Sequence, residues 1–586
     1  MAKTFKLVLI KPSHYDDDGY VIQWWRSGIP SNTLASLYGL ARDCAERRVL
    51  GADVDIEIAG YDETNTRIRT DRIAREIETS PAGGLVMIVG VQSNQMPRAL
   101  DIAAPLRARG IAVGIGGFHV SGTIAMLPDI DPDVARATAM GVFLFAGEAE
   151  DRLEGVLLDA FNERLKPLYN YMNDLPGIDG TPVPHLPPQR LLRTAGALTS
   201  FDAGRGCPYQ CSFCTIINVQ GRKSRRRSPD DIEAIVRENA ANGVFRYFIT
   251  DDNFARNKDW EAIFDRMIAL RREGIKIKAI IQVDTLCHNI PNFIEKAAKA
   301  GVSRVFIGLE NINPDSLIGA KKRQNKITEY RKMLLAWKAQ RVTTYAGYIL
   351  GFPNDTPASI RRDIEIIKRE LPIDILEFFF LTPLPGSEDH KVLHTKGVPV
   401  DADMNRYDLN HVCTDHPVMS RAEWEGIYRD AWRIFYSDDH VVTVQKRAAA
   451  MGLSPFKLVN FQIWFKGSID IEGVHPLESG YFRLKSRRDR RPTLPIESPF
   501  LFYPRYAGET LVKLARWGGL WLKHGGQALR VRRDRERLRA EYADIALTPV
   551  DENETETLEL FKGRDADSFV ARQKKIAAIK DGVAAA

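Results

Sequence analysis

The sequence predicts an α/β protein in which two parallel sheets precede a mainly helical region. Strands and helices alternate through residues 1–170 and again through 197–396, as expected where helices connect parallel strands. The alternation then stops, and helical periodicity dominates residues 421–450. Because 586 residues exceed one core, we predict three domains, 1–170, 197–396 and 397–586, with a Pro-rich linker at 171–196.

The first domain is predicted to be a doubly wound, Rossmann-like sheet. Its apolar runs indicate strands at residues 6–11, 54–59, 85–91, 112–116 and 142–146. Helical periodicity indicates helices at residues 31–47, 70–78 and 96–109. Ligands of such sheets bind beyond the carboxyl ends of the strands, which here are followed by the loops at 12–19, 92–97, 116–122 and 147–151.

The second domain is predicted to be a parallel β/α barrel, full or partial. Six strands are indicated at residues 197–202, 247–250, 278–282, 304–308, 344–350 and 375–381. Helices are expected between them, for example at residues 229–242, 260–272, 291–300 and 328–340. In barrels of this kind the chemistry lies on the loops that follow the strands.

The composition is that of a globular protein, with 44% hydrophobic and 27% charged residues. No apolar run reaches the roughly 18–20 residues that a membrane helix needs. The first residues form a strand-like pattern without a signal-peptide cleavage site, so we expect a cytoplasmic location. A net charge of +6 is mild for this length, and nucleic acid is not an expected partner.

Three of the six cysteines fall within eight residues, at Cys207, Cys211 and Cys214, directly after a predicted strand. In a reducing compartment such clustering indicates metal ligation rather than disulfides. Three thiolates suit a 4Fe-4S cluster and leave one iron open for an exogenous ligand. A zinc ribbon needs a fourth ligand, and the nearest candidates, His185 and Cys287, are distant in sequence. Three buried free cysteines are the remaining alternative.

The Cys-x3-Cys-x-aromatic-Cys pattern, with Phe213 before the last cysteine, resembles the signature of the radical S-adenosylmethionine (SAM) superfamily. Further segments resemble parts of that family's barrel in the same order, at residues 251–254, 308–310, 347–353 and 382–386. The resemblance implies that SAM binds the open iron and is cleaved by one electron to a 5′-deoxyadenosyl radical. An external electron donor of flavodoxin or ferredoxin type is therefore an expected partner.

The same resemblance assigns roles to residues of the second domain. The three cysteines would hold the cluster, and Phe213 would pack on the adenine of SAM. Asp251, Glu310 and Gly351 would contact SAM, although the two carboxylates could instead cap the helices that follow their strands. The basic run at 222–227 either meets the carboxylate of SAM or begins a solvated helix. No catalytic side chain can be named from the sequence.

A doubly wound domain before such a barrel resembles the cobalamin-binding branch of the superfamily. The matching segments are Gly-Gly-x-His at 116–119 and Gly-Glu-x-Glu at 147–150. The resemblance implies a cobalamin contacted by Ser93, Gly116, Gly117, His119, Gly147 and Glu148. His14 lies in the loop where some cobalamin proteins carry a cobalt ligand, but at the wrong spacing, so we predict no such ligand. The alternative is a domain that has lost its cofactor or binds part of the substrate.

The third domain is basic and aromatic and resembles no family. Residues 481–540 carry 16 Lys and Arg against 5 Asp and Glu, with tryptophan, tyrosine and phenylalanine interspersed. Such a segment could meet a membrane surface, an anionic substrate or RNA, or form a helical cap over the barrel mouth. We predict peripheral membrane contact here as one possible role. Cys44, Cys287 and Cys413 are expected to be buried, and only Cys413 merits testing as a site residue.

The leading functional hypothesis is a cobalamin-dependent radical SAM enzyme that methylates an unactivated carbon of a small-molecule or lipid-like substrate. Ring closure or rearrangement, as in anaerobic tetrapyrrole cyclisation, is the alternative within enzymes. Methylthiolation of tRNA is disfavoured because those enzymes carry additional N-terminal cysteines, whereas the first domain has only Cys44. A non-enzymatic cobalamin- or redox-responsive binding protein is the alternative of another class.

Overall fold

The N-terminal region is built on an open parallel sheet in the computed structural model, which describes residues 3–551 and 557–562. Its strands are β1 (Lys3–Lys11), β2 (Gln23–Ser27), β3 (Val54–Asp62), β4 (Gly84–Ile88), β5 (Ala112–Gly116), β6 (Phe143–Ala146) and β7 (Leu168–Asn170). Six of them pair in parallel in the order β3-β1-β4-β5-β6-β7. The strand order therefore reverses between β1 and β4, the point where doubly wound sheets bind ligands.

Helices cover both faces of this sheet. They are α1 (Asn32–Glu46), α2 (Thr70–Glu78), α3 (Met96–Arg107), α4 (Phe118–Met126), α5 (Pro132–Ala139) and α6 (Leu153–Phe161). One core contains Leu34 of α1 and Val156 of α6, and the core of the other face contains Ile73 of α2 and Leu100 of α3. The predicted doubly wound domain is thus confirmed, with β2 and β7 as additional strands.

The central region is a second parallel sheet. Its strands are β8 (Leu198–Phe201), β9 (Gly204–Arg205), β10 (Arg225–Arg226), β11 (Arg246–Ile249), β12 (Lys278–Val283), β13 (Val302–Glu310), β14 (Thr343–Leu350) and β15 (Ile375–Phe380). Strands β8, β11, β12, β13, β14 and β15 pair in sequence order, and β9 pairs separately with β10. Since β8 and β15 are not paired among the described residues, the predicted barrel is a partial one.

The helices that connect these strands shield the sheet from solvent. A short α7 (Pro188–Leu191) precedes the sheet, and the connecting helices are α8 (Ile216–Val219), α9 (Pro229–Ala241), α10 (Trp260–Arg272), α11 (Phe293–Ala300), α12 (Pro314–Gly319), α13 (Ile327–Ala339), α14 (Pro357–Glu370) and α15 (Glu388–Thr395). Phe264 of α10, Trp337 of α13 and Ile364 of α14 are fully buried in one core with Ile281 of β12.

The C-terminal region is mainly helical and shares the core of the central sheet. Its elements are α16 (Arg421–Phe435), α17 (Asp438–Ala450), α18 (Pro455–Gly467), β16 (Gly480–Leu484), α19 (Pro499–Arg533) and α20 (Arg535–Glu541). Trp432 of α16 packs on Phe378 of β15 with 5.3 Å between ring centroids, and the Tyr436 hydroxyl donates to the Leu376 carbonyl at 2.8 Å. Strand β16 pairs with β2 in antiparallel fashion. None of the helices in the described residues combines the length and the apolar composition that a membrane-spanning segment needs.

The carboxyl edges of the two parallel sheets face each other. Helix α4, which follows β5, approaches the loop after β15 so closely that a Cβ atom on Gly122 would lie 2.6 Å from the Pro385 carbonyl oxygen and 2.9 Å from the Gly386 Cα. On the other side of that loop, Asn218 of α8 donates a hydrogen bond to the Gly386 carbonyl at 2.9 Å. The loops on which both domains were predicted to carry ligands therefore lie at one interface.

A buried group of six charges joins the same two edges. Its members are Glu148, Glu150, Asp202, Arg205, Arg225 and Arg227. Arg205 donates to Glu148 at 2.7 Å, to Glu150 at 2.7 Å and to Asp202 at 2.9 Å. Burial alone would raise the pKa values of the Glu150 and Asp202 carboxyls, but the charge of Arg205 outweighs it and both pKa values are lowered.

The close approach of α4 predicts that Gly122→Ala destabilises the protein by about 1–3 kcal/mol, because the added methyl group has no space at the interface. Gly155→Ala in α6 is the matched control, since nothing lies within 4 Å of its added atom. The control is expected to be neutral or stabilising by up to about 1 kcal/mol. Thermal melting followed by circular dichroism measures both. Equal melting temperatures for the two variants would contradict this packing.

The charge group predicts that Arg205→Met costs about 3–5 kcal/mol of stability at pH 7, because it leaves buried carboxylates without their cation. The lowered pKa values mean that this contribution is present above a pH of about 4 and is lost as the carboxyls protonate at lower pH. The difference from wild type, measured by urea unfolding, should therefore shrink on acidification. Arg237→Met, which breaks solvent-exposed ion pairs only, should change little.

Candidate active site

The three clustered cysteines lie in the loop between β9 and α8, at the carboxyl edge of the central sheet. The loop folds back on itself, because the Cys214 amide donates to the Cys211 carbonyl at 3.2 Å and the Cys207 amide to the Gly221 carbonyl at 3.2 Å. Gly206 precedes the first cysteine with φ +88°, and a Cβ atom there would lie 2.6 Å from the Lys223 carbonyl oxygen. A glycine is therefore needed at the start of this loop.

The chemistry of these cysteines fits a three-thiolate cluster site. Burial raises the pKa of Cys207 to about 11 and that of Cys214 to about 12, so both remain thiols unless a metal displaces their protons. Neither alternative fourth ligand is near. Cys287 is buried in the barrel core, and the His185 ring faces Glu238 at 3.1 Å. Cys413, the other cysteine considered for the site, donates to the Arg406 carbonyl at 3.1 Å.

A buried lysine lies beside the cysteine loop and was not found from the sequence. Lys322, in the segment between α12 and α13, donates to the Glu310 carboxylate, and its Nζ lies 5.7 Å from the centre of the Phe213 ring. Burial would lower the pKa of Lys322, but Glu310 outweighs it and the pKa is raised. Gln324 donates to the Cys211 sulfur at 3.5 Å. In the sequence this lysine belongs to a basic run that is typical of a solvated loop.

Glu310 occupies the position predicted for it, at the end of β13. The register of β13 against β14 shifts between Gly308 and Glu310, and the Glu310 backbone is left-handed with φ +64°. A Cβ atom on Gly308 would lie 2.8 Å from the Glu310 carboxylate and 3.0 Å from Lys322 Nζ. This glycine therefore makes room for the buried ion pair. The carboxylate pairs with lysine and does not cap the next helix.

Asp251 positions the strand that leads into the cysteine loop. One carboxylate oxygen accepts from the amides of Ala203 at 2.7 Å and Gly204 at 2.8 Å, and the other from Asn257 at 3.1 Å. Burial raises the pKa of Asp251 to about 7. Both oxygens thus accept hydrogen bonds within the chain, and this residue supports the cysteine loop. Its contact with SAM stays a prediction.

Gly351 and Phe213 differ in what surrounds them. Gly351 has φ +103°, and a Cβ atom there would lie 2.0 Å from the Trp424 ring of α16. The packing of the C-terminal region against this position therefore explains why a glycine is needed. This packing was not predicted from the sequence. Phe213 is partly buried against Ile349 and Phe352 and presents its ring beside Lys322.

In the first domain, four of the predicted residues gather at the carboxyl ends of β4 and β5, next to the point where the strand order reverses. Ser93 follows β4, and its hydroxyl lies 3.3 Å from Nδ1 of the fully buried His119. Nε2 of His119 lies 3.5 Å from the Asp131 carboxylate. Gly116 and Gly117 connect β5 to α4, and a Cβ atom on Gly117 would lie 2.1 Å from the Val91 amide nitrogen. The glycine segment therefore packs on the neighbouring loop of its own sheet.

The other two predicted residues contribute to the interface itself. Gly147 has φ +107°, and its amide donates to the Ser121 hydroxyl at 3.1 Å. The Glu148 carboxylate accepts from Arg205 and Arg225, each at 2.7 Å. The Gly-Glu segment after β6 therefore holds the two edges together through ion pairs. No local sequence pattern identifies its arginine partners, which lie more than fifty residues away.

Within the described residues, some buried polar atoms on the carboxyl edge of the first sheet have no hydrogen-bond partner. They include Nε2 of His119 and Nε2 of His14, which follows β1. His14 Nε2 lies 3.4 Å from the Glu478 carboxylate without hydrogen-bonding to it, and burial lowers the pKa of His14 to about 4. A buried polar atom without a hydrogen bond lowers the stability of the fold. A polar ligand bound at this edge would supply the missing partners, so these atoms fit a ligand site.

Comparison with known proteins identifies the central region. The sequence model of the radical SAM superfamily matches residues 202–367, which include the cysteine loop, Asp251, Glu310 and Gly351. Bacteriochlorophyllide d C-8(2)-methyltransferase of Chlorobaculum tepidum is 26% identical over 349 residues, covering 56% of this chain and 72% of that protein. Hopanoid C-2 methylase of Rhodopseudomonas palustris is 24% identical over 341 residues, covering 56% of this chain and 62% of that protein.

A solved structure has a similar fold. The radical S-adenosylmethionine methyltransferase TsrM of Kitasatospora setae, solved with cobalamin and a [4Fe-4S] cluster bound, aligns with a TM-score of 0.54 at 15% identity, covering 77% of this chain and 95% of that one. The sequence prediction of an enzyme that uses a 4Fe-4S cluster and SAM is confirmed by the family match. Residues 202–367 of this chain thus match the radical SAM superfamily, and the two relatives named above are methyltransferases.

Proposed function

We propose that this protein is a cobalamin-dependent radical SAM enzyme that methylates an unactivated carbon atom. The observation that carries the proposal is the meeting of two carboxyl edges, one with the cysteine loop and one with the Ser93–His119 pair. A radical source at the cysteine loop and a methyl carrier at the Ser93–His119 pair would then share one space. The curated relatives named above are methyltransferases, which supports the same reaction class.

The chain's own residues prepare this space in three ways. Cys207, Cys211 and Cys214 would hold the cluster, and Gln324 donates a hydrogen bond to one of the sulfurs, which stabilises negative charge there. When bound, the cluster and SAM supply a hydrogen-abstracting radical and cobalamin supplies a transferable methyl group. Phe213 offers an aromatic face beside Lys322, suited to an adenine ring. The close approach of α4 to the loop after β15 and the charge group around Arg205 would limit the access of water to the reacting groups.

The partners and location follow from the same chemistry. We propose a small-molecule or lipid-like substrate and an electron donor of flavodoxin or ferredoxin type. All six cysteines are free of disulfides, which fits the reducing cytoplasm where such donors work. Ser93, Gly116, Gly117, His119, Gly147 and Glu148 remain the proposed surroundings of cobalamin, with Glu148 acting through the arginines that it binds.

Cluster binding is tested by Cys211→Ala. Anaerobic reconstitution of the wild type should give about four irons per chain, the count of one cluster. The variant should lose most of this iron and all SAM cleavage with dithionite, because two thiolates do not hold the cluster. Cys44→Ala, in α1 of the first domain, is the matched control and should retain both. A Cys211→Ala variant that still cleaves SAM would refute the assignment.

The reaction class is tested by the products formed from SAM. Methyl transfer by this route consumes two SAM molecules and should yield S-adenosylhomocysteine and 5′-deoxyadenosine together when cobalamin, reductant and substrate extract are supplied. Radical ring closure would yield 5′-deoxyadenosine alone, and a binding protein would yield neither. Absorbance of the purified protein, with and without added cobalamin, measures cofactor binding separately. Omission of cobalamin should abolish S-adenosylhomocysteine formation.

A further inference from the structure

Helix α19 presents a continuous apolar surface to solvent. Nine of the 23 exposed large hydrophobic side chains in the described part of the protein belong to this one helix. Four of them mark the centre of the surface: Phe500 is 88% exposed, Leu511 67%, Leu522 73% and Leu529 42%. Monomeric proteins rarely leave a patch of this kind uncovered unless it binds something.

The spacing of these residues places them on one line along the helix. With about 3.6 residues per turn, Phe500, Leu511, Leu522 and Leu529 fall within an arc of roughly 40°. Alanines and glycines fill the positions between them, and no charged side chain up to residue 530 falls on that half of the helix. The apolar surface therefore spans about half of the cylinder, which is wider than the narrow seam of a coiled coil.

The opposite face fixes the helix to the protein body. Ala528 packs against Val459 and Ile463 of α18. Trp517 and Lys513 both bind the Glu472 carboxylate, at 2.9 Å and 2.7 Å. These contacts fix the rotation of the helix about its axis. The apolar half therefore cannot turn toward the protein body and remains exposed to solvent.

Basic side chains border the apolar surface on one flank. Arg505, Arg516, Lys523 and Arg530 all fall about 120–160° around the helix from Phe500. The acidic Glu509 faces the body instead, 3.7 Å from Lys485. Arg505 also pairs with Glu497 and Glu509, and Lys523 pairs with Asp438. Among the described residues Arg516 and Arg530 form no ion pair, so the flank keeps a net positive charge. This charge complements an anionic surface and disfavours a second copy, whose identical flank would be repelled.

We propose that α19 docks the protein on an anionic lipid bilayer, lying in the plane of the headgroups. A helix with leucine, tryptophan and phenylalanine on one face and arginine and lysine beside them is the form that binds at this depth. Two further exposed aromatic side chains lie on the strand pair that Tyr506 of α19 contacts. Trp25 of β2 and Phe482 of β16 are 51% and 56% exposed with ring centroids 5.8 Å apart, and Tyr506 of α19 donates to the adjacent Arg483 carbonyl. The docking does not rest on the proposed reaction.

Vesicle co-sedimentation of the full chain tests this docking. Wild type should bind vesicles that contain phosphatidylglycerol and bind phosphatidylcholine vesicles far more weakly. The double variant Leu511→Glu/Leu522→Glu should lose binding to both. Leu192→Glu changes an equally exposed leucine elsewhere, 60% exposed, and should bind as wild type does. Arg516→Gln and Arg530→Gln should each weaken binding to the anionic vesicles about fivefold.

Three results would overturn the proposal. The first is equal binding to neutral and anionic vesicles, and the second is retained binding by the leucine double variant. The third is a wild type that binds no vesicles but is dimeric by light scattering, with the double variant monomeric, which would make the surface a self-association site. Melting temperature and SAM cleavage in solution should be unchanged in the double variant, so loss of fold or of the reaction is distinguished from loss of docking.

Discussion

Arg205 is the charge on which the arrangement of the two sheets depends. It lies two residues before Cys207 and is buried among carboxylates from both domains. Because an unpaired guanidinium or carboxylate at this depth is strongly unfavourable, the loop after β6 and the strand before the cysteine loop are stable only in each other's presence. The distance between the two proposed cofactor edges is thus set by these ion pairs. Of their members, Glu148 was predicted to contact cobalamin, and Arg205 was not identified from the sequence.

Several buried residues also support the candidate site through contacts within the chain. Asp251 holds the backbone that enters the cysteine loop, and Lys322 neutralises Glu310 beside Phe213. Gly308 leaves space for the Lys322–Glu310 pair, and Gly122 lets α4 approach the loop after β15. The carboxylates that local motifs mark as ligand contacts are largely committed to shaping the loops.

The parts of this fold that the sequence predicted are those encoded by local periodicity or spacing. The apolar run at β4 and the alternation through the central region identify parallel strands, and the cysteine spacing identifies a cluster loop without any knowledge of the fold. Apart from the Lys322–Glu310 pair, the missed features join residues far apart in the chain. The partner of β2 lies more than four hundred residues away, and Gly351 is explained by Trp424 from another region. Local patterns carry no information on such pairings.

The pairing of β2 with β16 also sets an order of events during synthesis. Trp24 is fully buried, and part of its cover is Gly480, whose lack of a side chain lets the indole fit, while the indole nitrogen donates to the Glu478 carbonyl at 2.8 Å. At about 5–20 residues per second, a ribosome reaches residue 480 roughly 20–90 seconds after residue 24. Throughout that interval the nascent first domain displays an uncovered tryptophan beside an unpaired strand. A chain truncated before β16 keeps this exposed edge permanently and becomes a substrate for chaperones and proteases.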